Sequence, residues 1–198
     1  MGKSKAYKRK PVHLAPEKIK DVIEKARELS PGFLYPILLL VDETAAKTSD
    51  LAALKWTDID MKNRRVKYPG GTKIQRRELE ISTATVDALK RIDPVSEHVF
   101  TTLEGRQVQK HIVTRELKNF QRKSGFETDW VFRDLRHSYA FNFMRAGGQT
   151  EDLQGILGHW HPRLTEELYG AFKVHNLDFI DFEGVPGTEG ISPENGRF

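Results

Sequence analysis

The segment FRDLRHSYAFNFMRAGGQTEDLQGILGHWHPRLTEELYGAF, residues 132–172, carries the most informative side chains of the sequence. Arg133, Arg136 and His137 lie close together, Leu157-Gly158-His159 follows, and Tyr169 comes next. A guanidinium group can bond two phosphate oxygens at once, and histidine can donate to a third. A phenol becomes a nucleophile where nearby cations lower its pKa from about 10. The segment therefore predicts a site that holds a phosphate and attacks it.

These motifs resemble the C-terminal half of the tyrosine recombinase (phage integrase) catalytic domain. Members of that family show His-x-Leu-Arg-His, then Leu-Gly-His, then a nucleophilic tyrosine. Here the first motif is Arg133-Asp134-Leu135-Arg136-His137, so Arg133 stands where the family usually has His or Lys. The second motif matches fully, and Tyr169 follows at about the family interval. The resemblance covers about residues 14–172.

The earlier part of the sequence matches the same family incompletely. The family pattern is Thr-Gly-x-Arg, then an acidic residue and Leu, then Trp-x-Asp-Ile-Asp. Its later part is present here, from Asp50-Leu51 to Trp56 and Asp60. Its beginning differs, because Ala45 replaces the glycine and Lys47 stands at the first catalytic arginine. Lys73, in Gly71-Thr72-Lys73, matches the catalytic lysine that the family places on a β-hairpin. A solvated charge on an edge strand is the alternative for Lys73.

Composition limits the class of protein. The 198 residues are 38% hydrophobic, which suits one domain with tails, and they include no cysteine, which excludes disulfides and thiolate zinc sites. The apolar run 33–41 is interrupted by Pro36 and is too short for a membrane span, and the N-terminus shows no signal-peptide pattern. A net charge of +4 and a pI near 9.2 permit a nucleic-acid partner. We expect a cytoplasmic, nucleoid-associated protein.

Charge and periodicity predict three regions and a mostly α fold with a small antiparallel β-sheet. Residues 1–12 form a basic arm, 13–175 the recombinase-like catalytic domain, and 176–198 an acidic tail. The arm and tail are either disordered or functional, with the arm contacting phosphates through Lys8, Arg9 and Lys10 and the tail docking in cis or in trans. Apolar spacing and turn signals predict helices near 16–29, 33–41, 49–54, 83–89, 113–120 and 150–157, a helix ending at 147–148, and a hairpin of strands 65–68 and 77–81.

The resemblance implies transesterification of a double-stranded DNA phosphodiester, without metal or cofactor. Tyr169 would attack phosphorus and form a 3′-phosphotyrosyl bond, which the 5′-hydroxyl of another strand would later attack. Arg136 would clamp the non-bridging oxygens, His159 would bond the same phosphate, and Lys73 would protonate the leaving 5′-oxygen. Arg76 and His137 are further candidates for DNA contacts. Self-association on DNA, as a dimer or tetramer synapse, is also implied.

Each of these residues has an ordinary alternative. Arg136 could pair with Asp134 or Asp152, and His159 could be a hydrogen-bonded histidine after a helix-ending glycine. Tyr169 could be an aromatic packed on a helix with Leu164 and Leu168. His159 and His161 lack a nearby acidic or cysteine partner, so they predict no metal site.

The departures at positions 47 and 133 bear on activity. Lysine cannot make the bidentate contact of arginine, and losing one donor at a developing charge costs about 10²–10³ in rate. Arg133 cannot exchange a proton near neutral pH, but as a second guanidinium it could compensate for Lys47. Two rival functions therefore stay open: a DNA-binding relative without catalysis, and a helical protein-interaction domain.

Overall fold

The computed structural model describes residues 12–30, 32–71, 74–126 and 130–170, and these confirm the predicted fold class. This part of the chain contains eight α-helices and one three-stranded antiparallel sheet. The elements are α1 (Pro16–Leu29), α2 (Leu34–Thr44), α3 (Thr48–Ala53), a 3-10 turn (Trp56–Asp58), β1 (Ile59–Asp60), β2 (Arg65–Tyr68), β3 (Arg77–Glu80), α4 (Thr83–Leu89), α5 (Lys110–Ser124), α6 (Phe132–Arg145), α7 (Thr150–Leu157) and α8 (Pro162–Tyr169). No helix among the described residues is both long enough and apolar enough to cross a lipid bilayer.

The sheet confirms the predicted hairpin. Strands β2 and β3 are antiparallel with Val66 opposite Leu79 and Tyr68 opposite Arg77, and the short strand β1 adds to the other edge of β2. The guanidinium carbon of Arg77 lies 4.8 Å from the centroid of the Tyr68 ring, which is buried. The sheet therefore places an arginine at the inner end of β3.

Helix α2 lies at the centre of the larger of two hydrophobic clusters. Ile37, Leu38, Leu40 and Val41 are almost inaccessible to solvent, and α1 packs against α2. Burying one such aliphatic side chain stabilises a fold by about 1.5–3 kcal/mol. This cluster, the main cluster, also contains residues of α3 to α5 and the start of α6, so it fixes the C-terminal end of α2.

A smaller cluster supports the C-terminal helices. Its buried members come from the end of α2 and from α6, α7 and α8: Ala45, Ala140, Phe141, Met144, Leu153, Leu157 and Tyr169. We call it the C-terminal cluster. The chain that leads from α2 into α3 runs between the two clusters, because Ala45 belongs to the C-terminal cluster and Ala46 to the main cluster.

Several predicted helix limits were wrong. Ser49 was the predicted N-cap of α3, but the cap is Lys47, whose backbone N–H points at the Asp50 carboxylate with N and Oδ2 3.5 Å apart. Helix α5 begins at Lys110 and ends at Ser124, beyond both predicted limits of 113–120. The added turns carry mainly polar side chains that face solvent, so the apolar spacing gave no signal for them.

Candidate active site

The backbone carbonyl of Leu157 is the point at which two arginines meet. Its oxygen accepts hydrogen bonds from Nη1 of Arg77, at 2.8 Å, and from Nη2 of Arg136, at 2.7 Å. Leu157 ends α7, where carbonyl oxygens lack helical partners and carry the partial negative charge of the helix dipole. The end of α7 therefore stabilises two neighbouring cations.

Arg136 is fixed by a second helix end as well. Its Nη1 donates to the carbonyl of Ala45, 2.5 Å away, directly after α2. The residue is only 8% exposed. Burial, and then the charge of Arg77, lowers the pKa of Arg136 to about 10, so the guanidinium is still charged at neutral pH. The two carbonyls that accept hydrogen bonds from Arg136 lie at the ends of separate helices, which fixes its orientation from two directions.

Arg77 was not among the residues singled out from the sequence. It forms an ion pair with Asp50, its side chain is only 2% exposed, and within the described residues its buried Nε has no hydrogen-bond partner. The neighbouring Arg76, which was the predicted DNA contact, is exposed. Strand alternation could have found Arg77, because it shares a face with Leu79 and Ile81, and that face turns inward.

Lys47 joins the same group of cations. It lies at the N-cap of α3 and is half-buried. Burial, followed by the charge of Arg136, lowers the pKa of Lys47 to about 8, and only Asp50 acts in the opposite direction. Lys47 is therefore electrostatically coupled to the two buried arginines, although it stands where the resemblance places an arginine.

Gly158 allows the chain to bring His159 to the arginines. Its φ of +67° favours glycine, and an added Cβ would lie 3.0 Å from Cγ2 of Ile74 and 3.1 Å from Nη1 of Arg77. A side chain at position 158 would therefore be strained and would also collide with the segment next to β3. The same close approach lets the Gln75 N–H donate to the Gly158 carbonyl at 3.0 Å.

His159 lies between α8 and Arg136. Its Nδ1 is 2.9 Å from the Thr165 hydroxyl, and its Nε2 is 3.5 Å from Nη2 of Arg136. Burial, and then the charges of Arg136 and Lys47, lowers the pKa of His159 to about 4. The imidazole is therefore neutral at pH 7.

Tyr169, the last residue of α8, is buried in the C-terminal cluster and is 6% exposed. Its hydroxyl oxygen lies 2.5 Å from Nδ1 of His137. Burial raises the pKa of Tyr169 to about 12, although the charges of Arg136 and Arg133 act to lower it. Leu164 and Leu168, which were considered as its packing neighbours, are 48% and 45% exposed.

The comparisons with known proteins decide the family. A sequence model of the phage integrase family matches residues 13–174, which is most of the chain. The chain belongs to the phage integrase family. It is 26% identical over 182 residues to tyrosine recombinase XerC of Actinobacillus pleuropneumoniae serotype 7 (strain AP76), covering 87% of this chain and 58% of that relative. The family that the motifs predicted is therefore confirmed.

Solved structures agree on the fold. XerA recombinase has a TM-score of 0.70 at 23% identity, covering 81% of this chain and 60% of XerA. A λ integrase dimer bound to a COC′ core site has a TM-score of 0.64 at 17% identity, covering 83% of this chain and 49% of that one. The mostly helical architecture with one small sheet is therefore a tyrosine recombinase catalytic-domain fold.

Within this integrase-family fold, the structure brings only some of the predicted residues together. Lys47, Arg136 and His159 form one group around the ends of α2 and α7, and Tyr169 lies close enough for its pKa to respond to Arg136. Arg133 is exposed at the start of α6, where its charge still acts on Tyr169. Lys8, Arg9, Lys10 and Lys73 lie outside the described residues.

Asp134, which was considered as an ion-pair partner of Arg136, bonds to two backbone N–H groups. Asp134 accepts hydrogen bonds from the backbone N–H groups of Val12, at 3.1 Å, and Val131, at 2.7 Å. Its carboxylate therefore ties the segment before α1 to the start of α6. Across the described ranges, no group of three or more His, Asp or Glu side chains is arranged to hold a metal ion.

Proposed function

We propose that this chain cleaves and rejoins double-stranded DNA in site-specific recombination, through a 3′-phosphotyrosyl intermediate. The observation that carries the proposal is the group of basic side chains at the ends of α2 and α7. Lys47, Arg136 and His159 each have a lowered pKa, to which the charges of the others or of Arg77 contribute. The charged members, Lys47, Arg77 and Arg136, repel one another at neutral pH, and a bound anion such as a phosphodiester would offset that repulsion.

The roles follow from the side chains that meet there. Arg136 would bind the non-bridging oxygens and stabilise the charge of the transition state. His159 would bond the same phosphate, and Lys47 would add a single charge where the family uses an arginine. Tyr169 would attack phosphorus, and Arg133 would raise the positive potential from the rim of the site.

Lys73 is proposed as the acid that protonates the leaving 5′-oxygen. It lies outside the described residues, but the residues that follow it are attached to the site. Ile74 forms a β-bridge with His159, and Gln75 donates to the carbonyl of Gly158. The described residues directly after Lys73 are therefore attached to His159 and Gly158, which supports this role.

DNA contacts and self-association complete the proposal. The basic arm of residues 1–12 with Lys8, Arg9 and Lys10 would add phosphate contacts, and so would the exposed Arg76. Residues 13–175 would form the catalytic domain, and the tail at 176–198 would dock in cis or on a second subunit. The λ integrase dimer on its core site supports assembly on DNA as a dimer or tetramer.

The test is covalent trapping on a nicked duplex. A pool of duplexes with randomised centres, nicked so that cleavage releases a short fragment, removes the need to know the target sequence. We expect a DNA adduct that survives detergent with the original chain and disappears with Tyr169→Phe. Lys47→Arg should raise the rate of adduct formation by about 10²–10³-fold if the missing donor limits the reaction. An adduct that persists in Tyr169→Phe would contradict the assignment of the nucleophile.

Lys47 also favours a second candidate, a DNA-binding relative that does not cleave. This candidate predicts DNA affinity that falls steeply with salt, because phosphate contacts release counterions, together with no adduct at any pH. Adduct formation by Lys47→Arg but not by the original chain would establish it. If neither protein binds DNA in a salt-dependent way, both candidates fail and a role in protein interaction is left.

A further inference from the structure

The hydroxyl of Tyr169 meets His137, one residue after the phosphate-binding Arg136. The phenol oxygen lies 2.5 Å from Nδ1 of His137, and the two ring centroids are 5.9 Å apart with the planes inclined at 49°. His137 comes from α6 and Tyr169 from the end of α8, so this contact joins two helices. The geometry is that of a direct proton path between a phenol and an imidazole nitrogen.

Tyr169 requires a proton acceptor if it is to act as a nucleophile. Because burial raises its pKa to about 12, the phenol keeps its proton at neutral pH. Arg133 cannot accept a proton there. His159 is already engaged, since its two nitrogens face the Thr165 hydroxyl and Arg136. The imidazole of His137 is the group in contact with the reacting oxygen.

The surroundings of His137 keep its imidazole neutral at pH 7. Burial lowers its pKa from 6.5, and the positive charges of Arg133 and Arg136 on the same helix lower it further, against the opposing effect of Asp134. The other facing groups, Tyr169 of α8 and His159 after α7, are neutral at this pH. A neutral imidazole with its proton on Nε2 presents the Nδ1 lone pair to the phenol.

We infer that His137 is the general base that takes the proton of Tyr169, an inference that rests on the proposed strand cleavage. The Oη–H bond breaks and its proton passes to Nδ1, while the Oη–P bond forms. The P–O5′ bond breaks, and its electron pair leaves with the 5′-oxygen, which is protonated by the ammonium group proposed for Lys73. In rejoining, the imidazolium returns its proton to the phenol as a 5′-hydroxyl attacks.

Arg133 has a different role in this scheme from the one expected from the sequence, in which it compensates for Lys47 as a second guanidinium. The family position that usually holds His or Lys is occupied here by a group that cannot exchange protons. Its charge instead adds to the effect of burial in lowering the pKa of His137, which favours the unprotonated imidazole that can accept a proton. The negative phosphodiester, once bound, would offset the charge of the imidazolium that forms beside the arginines.

The first test is His137→Asn, whose side-chain oxygen can accept the same hydrogen bond but cannot take the proton. With a nicked duplex recovered from the randomised pool, we expect the single-turnover rate of adduct formation to fall about 10²–10⁴-fold. The rate for the original chain should rise with pH as His137 loses its proton, at a pH below the ordinary pKa of histidine. This rise should be absent in the variant. His111→Asn, an exposed histidine on α5, is the matched control and should leave the rate unchanged.

A duplex with sulfur in place of the 5′-bridging oxygen separates base from acid, because a thiolate leaves without being protonated. His137→Asn should stay slow on this substrate. Restoration of its rate would assign His137 to the leaving-group side and overturn the inference, as would a rate within about threefold of the original chain on ordinary DNA. If the original chain forms no adduct, the proposed function itself fails, and the inference fails with it.

The second test needs neither a variant nor DNA. The nitrogen-15 shifts of the His137 imidazole in the original chain report which nitrogen carries the proton. We expect Nδ1 to be unprotonated and Nε2 to be protonated at pH 7. A proton on Nδ1 would make His137 a donor to the phenol and would overturn the inference, even if His137→Asn does not fold.

Discussion

The arginine side of the site and the tyrosine side are supported differently. Arg136 is bonded to carbonyls at the ends of α2 and α7, and α2 is the most buried helix of the main cluster. Tyr169 ends α8, in which only Thr165 and Tyr169 are buried. The groups proposed to bind phosphate are therefore positioned by the core of the fold, whereas the proposed nucleophile is positioned by a small cluster and one hydrogen bond. Substitutions on the arginine side should therefore lower both the free energy of unfolding and the rate of adduct formation. Substitutions on the tyrosine side should lower mainly the rate.

The largest effect is expected from Arg136→Ala. Removing the guanidinium leaves the Ala45 carbonyl without this donor and leaves the Leu157 carbonyl with Arg77 alone. The loss of two hydrogen bonds from a charged group should lower the free energy of unfolding by about 2–4 kcal/mol. The rate of adduct formation should also fall by at least about 10²-fold. Tyr169→Phe should abolish the adduct but change stability by less than about 1.5 kcal/mol, because one hydrogen bond is lost. Urea titrations that show equal destabilisation by the two substitutions would refute the contrast.

Arg77→Met comes next and tests whether the arginine side depends on both guanidinium groups. The change keeps the volume but leaves the Asp50 carboxylate without its buried partner, so the free energy of unfolding should drop by about 3 kcal/mol. Arg76→Met, at the exposed neighbouring position, should change it by no more than about 0.5 kcal/mol. Chemical denaturation of the pair gives the comparison, and similar values for both would mean that the buried contacts of Arg77 add no stability.

The sequence identified the two sides unequally. The motifs identified the family and singled out Arg136, His159 and Tyr169, and the hairpin pattern located the strands. The inward orientation of Arg77 was not recognised from the sequence, because four of the five positions from 76 to 80 are charged and only the strand alternation distinguishes them. Nor did the sequence show that His137 reaches Tyr169. That contact depends on how α8 packs against α6, which neither residue spacing nor motif identity encodes.

The third prediction concerns Lys47 and pH. Its pKa is about 8 in the folded chain and near 10.5 when unfolded, so between these values the unfolded chain binds more protons. The stability that the original chain has relative to Lys47→Met should therefore rise as pH increases from about 8 to 10.5. Urea unfolding of both proteins at pH 8 and pH 10 measures this difference. A constant difference would show that folding does not lower the pKa of Lys47.

The smallest effect is expected at Ala45, whose φ of 49° is left-handed and whose carbonyl receives Arg136. An L-residue there costs about 1–2 kcal/mol, which Ala45→Gly would relieve. Loss of the buried methyl and the greater freedom of the unfolded chain cost about as much, so the net change should be within about 1 kcal/mol. Ala46→Gly gains no such relief and should destabilise by about 1–2 kcal/mol. Thermal unfolding in which both glycine variants lose the same stability would argue against backbone strain at position 45.

The meeting of Arg77 and Arg136 at the Leu157 carbonyl means that part of this site belongs to the main chain. Every genetically encoded substitution at position 157 keeps that oxygen, so a scan of side chains would report only on packing there and would overlook the acceptor. Semisynthesis that replaces the peptide bond between residues 157 and 158 by an ester, whose carbonyl is a weaker acceptor, would loosen both guanidinium groups together while leaving all side chains intact.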